Sequence, residues 1–259
     1  MMTPAALLFD MDGTIAETEE LHRCCFNRAF AAFHLPWHWD EPTYHRLLDV
    51  PGGRERIAAY ATRTGTADYV ALTDNPALDA LHRWKTTDMA ALLASGDSGL
   101  VARPGVARLC REALSAGVAL ALVTTSQRPV AEQVLRQTLG EELAAGFRVV
   151  ICGSDVRVKK PDPESYLLAL QRLGVDAGQA VAVEDSAVGL HSARSAGLRC
   201  VITESLYTRE QDFSGAALAV SDLGEPDRWP VPVRPVRGGA PVAPVTVASL
   251  GRLLQAVPA

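Results

Sequence analysis

Residues 7–14 read Leu7-Leu8-Phe9-Asp10-Met11-Asp12-Gly13-Thr14, and the rest of the chain is organised around them. The apolar residues at the start of this stretch are typical of the end of a buried parallel strand. Asp10 and Asp12 follow at the carboxyl edge, where open α/β sheets bind their ligands. Two acids this close repel each other unless a cation lies between them, which predicts Mg²⁺. A plain strand followed by an Asp-Gly turn is the alternative that this stretch alone leaves open.

Length and composition limit the class of protein. The chain has 259 residues, 48% of them hydrophobic, and a formal net charge of −5. This charge argues against a surface for nucleic acid or for an anionic membrane, and no stretch has the length of a transmembrane span. The N-terminus lacks the positive region of a signal peptide, and the 5 cysteines lie mostly in apolar runs. We therefore expect a cytoplasmic protein with reduced, buried thiols.

The chain divides into a helical stretch and an alternating stretch. Residues 17–93 carry apolar residues at helical spacing and contain no convincing strand. From residue 106 onward, helices alternate with apolar strands, which specifies a parallel sheet covered by helices on both faces. We predict an α/β core of residues 1–16 and 95–259, interrupted by an all-helical cap of residues 17–94.

Two smaller regions have simpler predictions. Residues 225–244 are rich in Pro, Gly, Val and Arg, which favours an irregular surface loop, with a polyproline II ligand segment as the alternative. Residues 248–256 are expected to form a terminal helix on the core, and Trp37 and Trp39 are expected to pack inside the cap.

Hydroxyl groups and a lysine follow at later positions. Thr124-Thr125-Ser126 ends the predicted strand 118–123, and hydroxyls at such an edge hold phosphoryl oxygens or cap a helix. Lys160 precedes Pro161, which restricts Lys160 to an extended geometry. A lysine held in this way is a cation source for an anionic substrate, whereas its neighbour Lys159 is expected to be a solvated charge.

A second buried strand also runs into acids. Residues 180–183 are apolar and lead directly to Glu184 and Asp185. If this strand neighbours the first one, Asp10, Asp12 and these two acids converge on a site for a hard cation with oxygen ligands.

These stretches, in this order, resemble the four motifs of the haloacid dehalogenase superfamily, and the helical insertion resembles its cap of the first type. The resemblance implies a Rossmann-like core and a Mg²⁺-dependent phosphatase that forms an aspartyl phosphate. It implies the following roles: Asp10 as nucleophile, Asp12 as general acid/base, Thr124 and Lys160 as stabilisers of the phosphoryl group. It also implies a Mg²⁺ site formed by Asp185, supported by Glu184, with the carboxylate of Asp10 and the backbone carbonyl of Asp12.

Residues 16–23, 52–57 and 82–85 resemble the CbbY subgroup, which hydrolyses sugar bisphosphates such as xylulose 1,5-bisphosphate, an inhibitor of the carbon-fixing enzyme Rubisco of the Calvin cycle. The resemblance implies a small sugar phosphate as partner, and we expect a monomer. The candidate substrate-binding residues are Glu17 for sugar hydroxyls, His22, Arg54 and Lys85 for the remote phosphate, and Thr125 and Ser126. Arg54 stands where the subgroup usually has lysine, and its fork differs from a point charge.

Two other functions share these features. A sugar phosphomutase of the β-phosphoglucomutase kind has similar motifs and similar cap positions, although Thr14 favours hydrolysis because the similar mutases tend to have an apolar residue there. A binding module on a decayed catalytic scaffold is the third hypothesis, but every charged group that the chemistry needs is present in the sequence.

Overall fold

A parallel sheet forms the centre of the computed structural model, which describes residues 2–65, 76–230, 232 and 243–255. Its strands are β1 (Ala6–Phe9), β2 (Ala119–Val123), β3 (Phe147–Ile151), β4 (Ala180–Glu184), β5 (Arg199–Thr203) and β6 (Leu218–Val220). They lie in the order β3-β2-β1-β4-β5-β6, and every neighbouring pair is parallel. The predicted α/β class with a parallel sheet is confirmed.

The helices fall into two groups along the chain. Those between β1 and β2 are α1 (Glu19–Ala32), α2 (Glu41–Leu47), α3 (Gly53–Thr64), α4 (Pro76–Ser95) and α5 (Val106–Ser115). The later ones are α6 (Arg128–Ala145), α7 (Glu164–Leu173), α8 (Ala187–Ser195) and α9 (Val247–Gln255).

Alternation of side chains along the strands builds two hydrophobic layers. Leu7 and Phe9 of β1 join apolar residues of α5, α6 and α9 on one face. Ala6 and Leu8 join residues of α7 and α8 on the other face. Because both faces are covered, β1 is apolar and buried along its whole length, and the two layers fix the position of its carboxyl end.

Helices α1 to α3 and the start of α4 share a hydrophobic cluster separate from these two layers. Its centre is aromatic: the ring centroids of Phe26 and Trp39 lie 4.7 Å apart, and those of Phe30 and Trp37 lie 5.5 Å apart. Trp37 and Trp39 pack here, as the sequence predicts. This part of the chain therefore buries its own aromatic core beside the sheet.

The structure also bears on the predicted surface loop, on the cysteines and on the expected lack of a membrane span. In the predicted loop of residues 225–244, Glu225 and Arg228 form an isolated bridge. Residues 231 and 233–242 lie outside the described residues, and with them most of the alternative polyproline II segment. The cysteines are free, and all except Cys24 are buried. Within the described ranges, no helix combines the length and the apolarity that crossing a bilayer would need.

Candidate active site

The residues that follow β1, β2 and β4 meet at one edge of the sheet, because β1 lies between the other two strands. Phe9, the last residue of β1, is in register with Leu122 of β2 and Val183 of β4. The amide of Asp10 donates to the carbonyl of Val183 at 2.9 Å, which extends this alignment by one residue. The strand pairing on which the sequence argument depends is present, and it brings Asp10 level with Glu184.

Three buried carboxylates form a cluster at this edge. Oxygen atoms of Asp10, Glu184 and Asp185 all lie within 4.8 Å of one another. Burial raises the pKa of Asp10 and of Asp185 well above the usual range, and the charge of Glu184 raises both further. A hard cation would relieve this repulsion, and carboxylate oxygens are ligands that Mg²⁺ prefers. The buried acid cluster therefore fits Mg²⁺.

Gly13 allows the cluster to close. Its φ is +78°, and a Cβ atom on this residue would lie 2.1 Å from Oδ2 of Asp185 and 2.9 Å from Cβ of Ser205. Any larger residue would both strain the backbone and displace Asp185 from its position. The glycine of the first motif is therefore required for the turn and for the approach of the second pair of acids.

Lys160 is buried in the centre of the site, where its ammonium group makes three contacts. Its Nζ donates to Oδ1 of Asp10 at 2.6 Å, to Oε1 of Glu184 at 2.6 Å and to the carbonyl of Val123 at 2.8 Å. Burial acts to lower the pKa of Lys160, but the charges of Asp10 and Glu184 raise it above the usual range. Lys160 is therefore a permanent cation beside the candidate nucleophile.

Glu184 is fully buried and fixes Lys160 from behind. The hydroxyl of Tyr166 donates to the same Oε1 atom of Glu184 at 2.6 Å. Gly189 in the first turns of α8 makes room for the carboxylate, since a Cβ atom there would lie 1.9 Å from Oε2 of Glu184. Glu184 thus positions Lys160 in addition to belonging to the acid cluster. Sequence reasoning missed Tyr166, because its helical position is that of an ordinary core aromatic residue.

Asp12 turns away from the acid cluster. Its Oδ2 accepts from the hydroxyl of Ser126 at 2.8 Å, and its Oδ1 accepts from the hydroxyl of Thr18 and lies 3.1 Å from Nε2 of His22. Burial acts to raise the pKa of Asp12, but the neighbouring imidazole of His22 and the hydrogen bonds from His22, Thr18 and Ser126 lower it below the usual range. Thr124 lies 3.5 Å from Oδ2 and accepts from the amide of Ser126 at 3.0 Å. The hydroxyls after β2 therefore hold Asp12 in this structure.

His22 reaches Asp12 from α1 and is itself held by Lys85 from α4. The Nζ atom of Lys85 lies 2.6 Å from Nδ1 of His22. Because a protonated lysine only donates, Nδ1 accepts, and the ring hydrogen lies on Nε2, facing Asp12. Lys85 is 3% exposed, and burial lowers its pKa to about 8. The predicted residues His22 and Lys85 thus form one hydrogen-bonded chain that ends on Asp12.

A cleft separates the sheet edge from helices α1, α3 and α4. It contains two adjoining cavities of about 110 and 40 Å³. Residues that line both of them are Asp12, Glu19, Arg56 and Thr125. Asp10, Lys160 and Asp185 line the larger cavity, and His22 and Lys85 line the smaller one. The cleft therefore joins the acid cluster to a group of cations and imidazoles carried by the helices.

Arg54 and Arg56 occupy different environments on α3. Arg54 donates to Oδ1 of Asp79 at 2.6 Å, and both of these side chains are partly exposed, outside the lining of the cleft. Arg56 is buried, donates to the hydroxyl of Tyr44 at 2.9 Å and to the carbonyl of Leu47 at 3.1 Å, and lines the cleft. Arg56, which the sequence analysis did not select, therefore lines the cleft, and Arg54, which it did select, does not.

Glu17 lines a different cavity, of about 840 Å³, on the far side of α1. Its Oε1 atom lies 3.2 Å from Nε of Arg103. Arg103 in turn donates to the carbonyl oxygens of Gly13, Thr203, Glu204 and Ser221. In this structure Glu17 is tied to Arg103 and does not face the cleft, whereas Glu19, which also accepts from the hydroxyl of Tyr44 at 2.6 Å, does.

His82 also lines the smaller cavity of the cleft, and the sequence offered no reason to select it. Its Nε2 atom would lie 2.9 Å from a Cβ atom at Gly53, so the glycine permits the close approach of α3 to α4. Burial, together with the charges of Lys85 and Lys159, lowers the pKa of His82 to about 4. The imidazole is therefore neutral at physiological pH and offers a donor and an acceptor to the cleft.

The chain is similar to known proteins over most of its length. The family model described as haloacid dehalogenase-like hydrolase matches residues 4–197. The protein CbbY of Cereibacter sphaeroides is 44% identical over 220 residues, which cover 85% of this chain and 93% of that protein.

Solved structures agree with this result. The crystal structure of CbbY from Rhodobacter sphaeroides in complex with phosphate has a TM-score of 0.80 and 42% identity, and the match covers 86% of this chain and 96% of that one. A second crystal structure of the same protein, a variant in complex with xylulose-(1,5)bisphosphate, matches with the same TM-score of 0.80 and the same coverage.

Proposed function

We propose that this chain, which belongs to the haloacid dehalogenase-like hydrolases and within them to the CbbY-like group, is a Mg²⁺-dependent sugar-phosphate phosphatase that acts through an aspartyl phosphate on Asp10. The observation that carries the proposal is the position of Asp10 between the ammonium group of Lys160 and the carboxylate of Asp185. A carboxylate held between a fixed cation and a divalent-ion site is suited to attack on phosphorus.

Electrostatics explains why both positive groups are needed. A phosphate dianion repels a carboxylate, and each like-charge pair at 4 Å costs about 4 kcal/mol at an effective dielectric constant near 20. Lys160 offsets part of this repulsion from a fixed position. When bound by the carboxylates of Asp10 and Asp185 and the backbone carbonyl of Asp12, Mg²⁺ would supply the remaining positive charge at the phosphoryl group.

The reaction proceeds in two steps. In the first, a carboxylate oxygen of Asp10 forms a bond to phosphorus while the bond from phosphorus to the sugar oxygen breaks, and Asp12 gives that oxygen a proton. In the second step, Asp12 takes a proton from water, and the water oxygen forms a bond to phosphorus while the bond from phosphorus to Asp10 breaks. Phosphate then leaves, and the carboxylate of Asp10 is restored. Hydrogen bonds that favour the anion of Asp12 suit the second step, and the first requires the substrate to replace some of them.

Side chains on the helices determine which substrate binds. We propose that residues 17–94 form a cap domain over a core of residues 1–16 and 95–259. His22, Arg56, His82 and Lys85 face the cleft from α1, α3 and α4, which supports a second anionic group on the substrate. A sugar bisphosphate such as xylulose 1,5-bisphosphate meets this requirement, and the related Rhodobacter protein has been crystallised with that compound. The buried cysteines support a reducing, cytoplasmic compartment.

The test is a substrate panel with two readouts. The purified protein with Mg²⁺ is given xylulose 1,5-bisphosphate, ribulose 1,5-bisphosphate, fructose 1,6-bisphosphate and glucose 1-phosphate, and both free phosphate and isomerised sugar phosphate are measured. We expect phosphate release, fastest from a bisphosphate, and its loss in Asp10→Asn. Isomerised product in place of free phosphate would instead show a phosphomutase of the β-phosphoglucomutase kind.

A further inference from the structure

Lys159 and Glu55 form an ion pair at the edge of the cleft. The Nζ atom of Lys159 lies 2.5 Å from Oε1 of Glu55, which is on α3. The side chain of Lys159 is only 19% exposed and that of Glu55 is 42% exposed. Lys159 is not the solvated charge that the sequence predicts, because it is paired with Glu55 and partly covered by α3. The pair joins the loop that carries Lys160 to the helix that carries Arg56.

The backbone around this pair is shaped to receive it. Gly52 has a φ of +94°, and a Cβ atom there would lie 2.2 Å from Oε2 of Glu55 and 2.6 Å from Nζ of Lys159. A side chain at this position would therefore separate the two charges. Oε2 of Glu55 is buried with no hydrogen-bond partner among the described residues, so the carboxylate depends on Lys159 for its compensation.

On the core side, Lys159 packs against the loops that hold the reacting groups. Its Cε atom would lie 3.4 Å from a Cβ atom on Gly153, and the amide of Gly153 donates to the carbonyl of Ser126 at 3.0 Å. Lys160, the next residue, donates to Asp10. The ion pair therefore anchors α3 to the loop that precedes Lys160, beside the loop that presents Ser126, while Lys160 itself is held by Asp10, Glu184 and Val123.

We propose that Glu55 and Lys159 form a latch that closes α3 over the cleft, with Glu55 as a residue that positions α3 and its Arg56 for binding of a second anionic group. The inference rests on the proposed function. When the pair forms, Arg56 next to Glu55 and Lys160 next to Lys159 are held at a fixed separation, so a substrate with two anionic groups meets both cations at once. When the pair breaks, the two anion sites move independently, and a compound with one phosphate loses little.

The latch is tested by charge exchange. The single variants Glu55→Gln and Lys159→Met are compared with the exchanged double variant Glu55→Lys with Lys159→Glu. Asp79→Asn is the matched control, because the side chain of Asp79 is 45% exposed, close to the 42% of Glu55, and its ion pair with Arg54 stays within the helical region. Each variant is assayed on xylulose 1,5-bisphosphate and on p-nitrophenyl phosphate, and its radius of gyration is measured by small-angle X-ray scattering.

We expect each single variant to raise KM for the bisphosphate about 3-fold to 5-fold and to increase the radius of gyration, as loss of a half-buried ion pair implies. In the exchanged variant, KM for the bisphosphate should return to within about 2-fold of the wild-type value. Turnover of p-nitrophenyl phosphate should be unchanged in every variant, and Asp79→Asn should match wild type in all three measurements. Single variants with unchanged KM and unchanged radius would overturn the latch, as would an exchanged variant no better than the singles. If Lys159→Met does not fold, Lys159→Arg is measured in its place. This variant keeps the charge and should behave as wild type. A wild-type protein that releases no phosphate would refute the proposed function, while scattering would still test the latch.

Discussion

Arg54 and Arg56 lie two residues apart on α3, yet Arg54 pairs with Asp79 outside the cleft while Arg56 is buried in its lining. We therefore predict that Arg56→Gln raises KM for a sugar bisphosphate about 10-fold to 100-fold, because a hydrogen bond to a charged group contributes about 1.5–3 kcal/mol. Arg54→Gln should change KM less than about 2-fold. Steady-state kinetics on both variants, with p-nitrophenyl phosphate as the control for an intact core, decides the matter. Equal losses on the two substrates would contradict the assignment.

The buried ammonium group of Lys85 predicts a pH dependence of stability. Burial lowers its pKa to about 8 in the folded state, from 10.5 in the unfolded chain. Between these values the unfolded chain binds more protons, so this group makes folding more favourable as pH rises, by at most about 1.4 kcal/mol per pH unit. The free energy of unfolding of wild type minus that of Lys85→Met should therefore increase from pH 8 to 10.5. A difference that is flat over this range would show that Lys85 titrates normally.

The close approach of Gly189 to Glu184 predicts that alanine is harmful at position 189 and harmless at Gly178, which serves as the control. In Gly189→Ala, the new Cβ atom would lie 1.9 Å from the carboxylate of Glu184, which must then release Lys160. We expect at least about a 10-fold loss of kcat and a lower melting temperature, because burying a displaced charge is costly. Gly178→Ala has no atom within 4 Å of its new Cβ and should leave both quantities unchanged. Wild-type activity in Gly189→Ala would show that Glu184 does not position Lys160.

The acid cluster predicts that Asp185→Asn stabilises the protein in the absence of metal and weakens its stabilisation by Mg²⁺. Burial and Glu184 raise the pKa of Asp185, so its ionised form destabilises the fold above its usual pKa, and this penalty falls as pH is lowered. Asp185→Asn should therefore melt at a higher temperature than wild type at pH 7 in EDTA. Wild type should gain about 2.7 kcal/mol at a Mg²⁺ concentration of 100 Kd, and the variant should gain less. A variant that melts lower in EDTA and responds equally to Mg²⁺ would place the ion elsewhere.

The fold was predictable because its signals are local. The strands β1 and β4 are short apolar runs up to the acids that follow or end them, as a strand buried on both faces of a parallel sheet requires. Motif order then predicts that Asp10 and Asp185 belong to one site, and the pairing of β1 with β4 is the contact that the sequence could only assume.

The helical side of the cleft was less predictable for a geometric reason. Residues two apart on a helix point in directions about 200° apart, so the choice between Arg54 and Arg56 depends on the rotation of α3. That helix buries few apolar residues, Ile57 and Ala61 among them, and its pattern therefore defines its rotation weakly. The partners of Lys159 and Tyr166 lie far away in sequence, at Glu55 and Glu184, and no local pattern reports such contacts.

β1 is one of the two central strands of the sheet although it precedes the other strands in the chain, and this has a consequence for biosynthesis. β1 leaves the ribosome before its neighbours β2 and β4, which begin only at Ala119 and Ala180. Pairing must therefore wait for distant segments, which slows assembly relative to local helix formation. A nascent polypeptide can bury the aromatic residues of α1 to α4 while Asp10 and the acids at 184 and 185 are still apart. The acid cluster can form only after translation has passed Asp185.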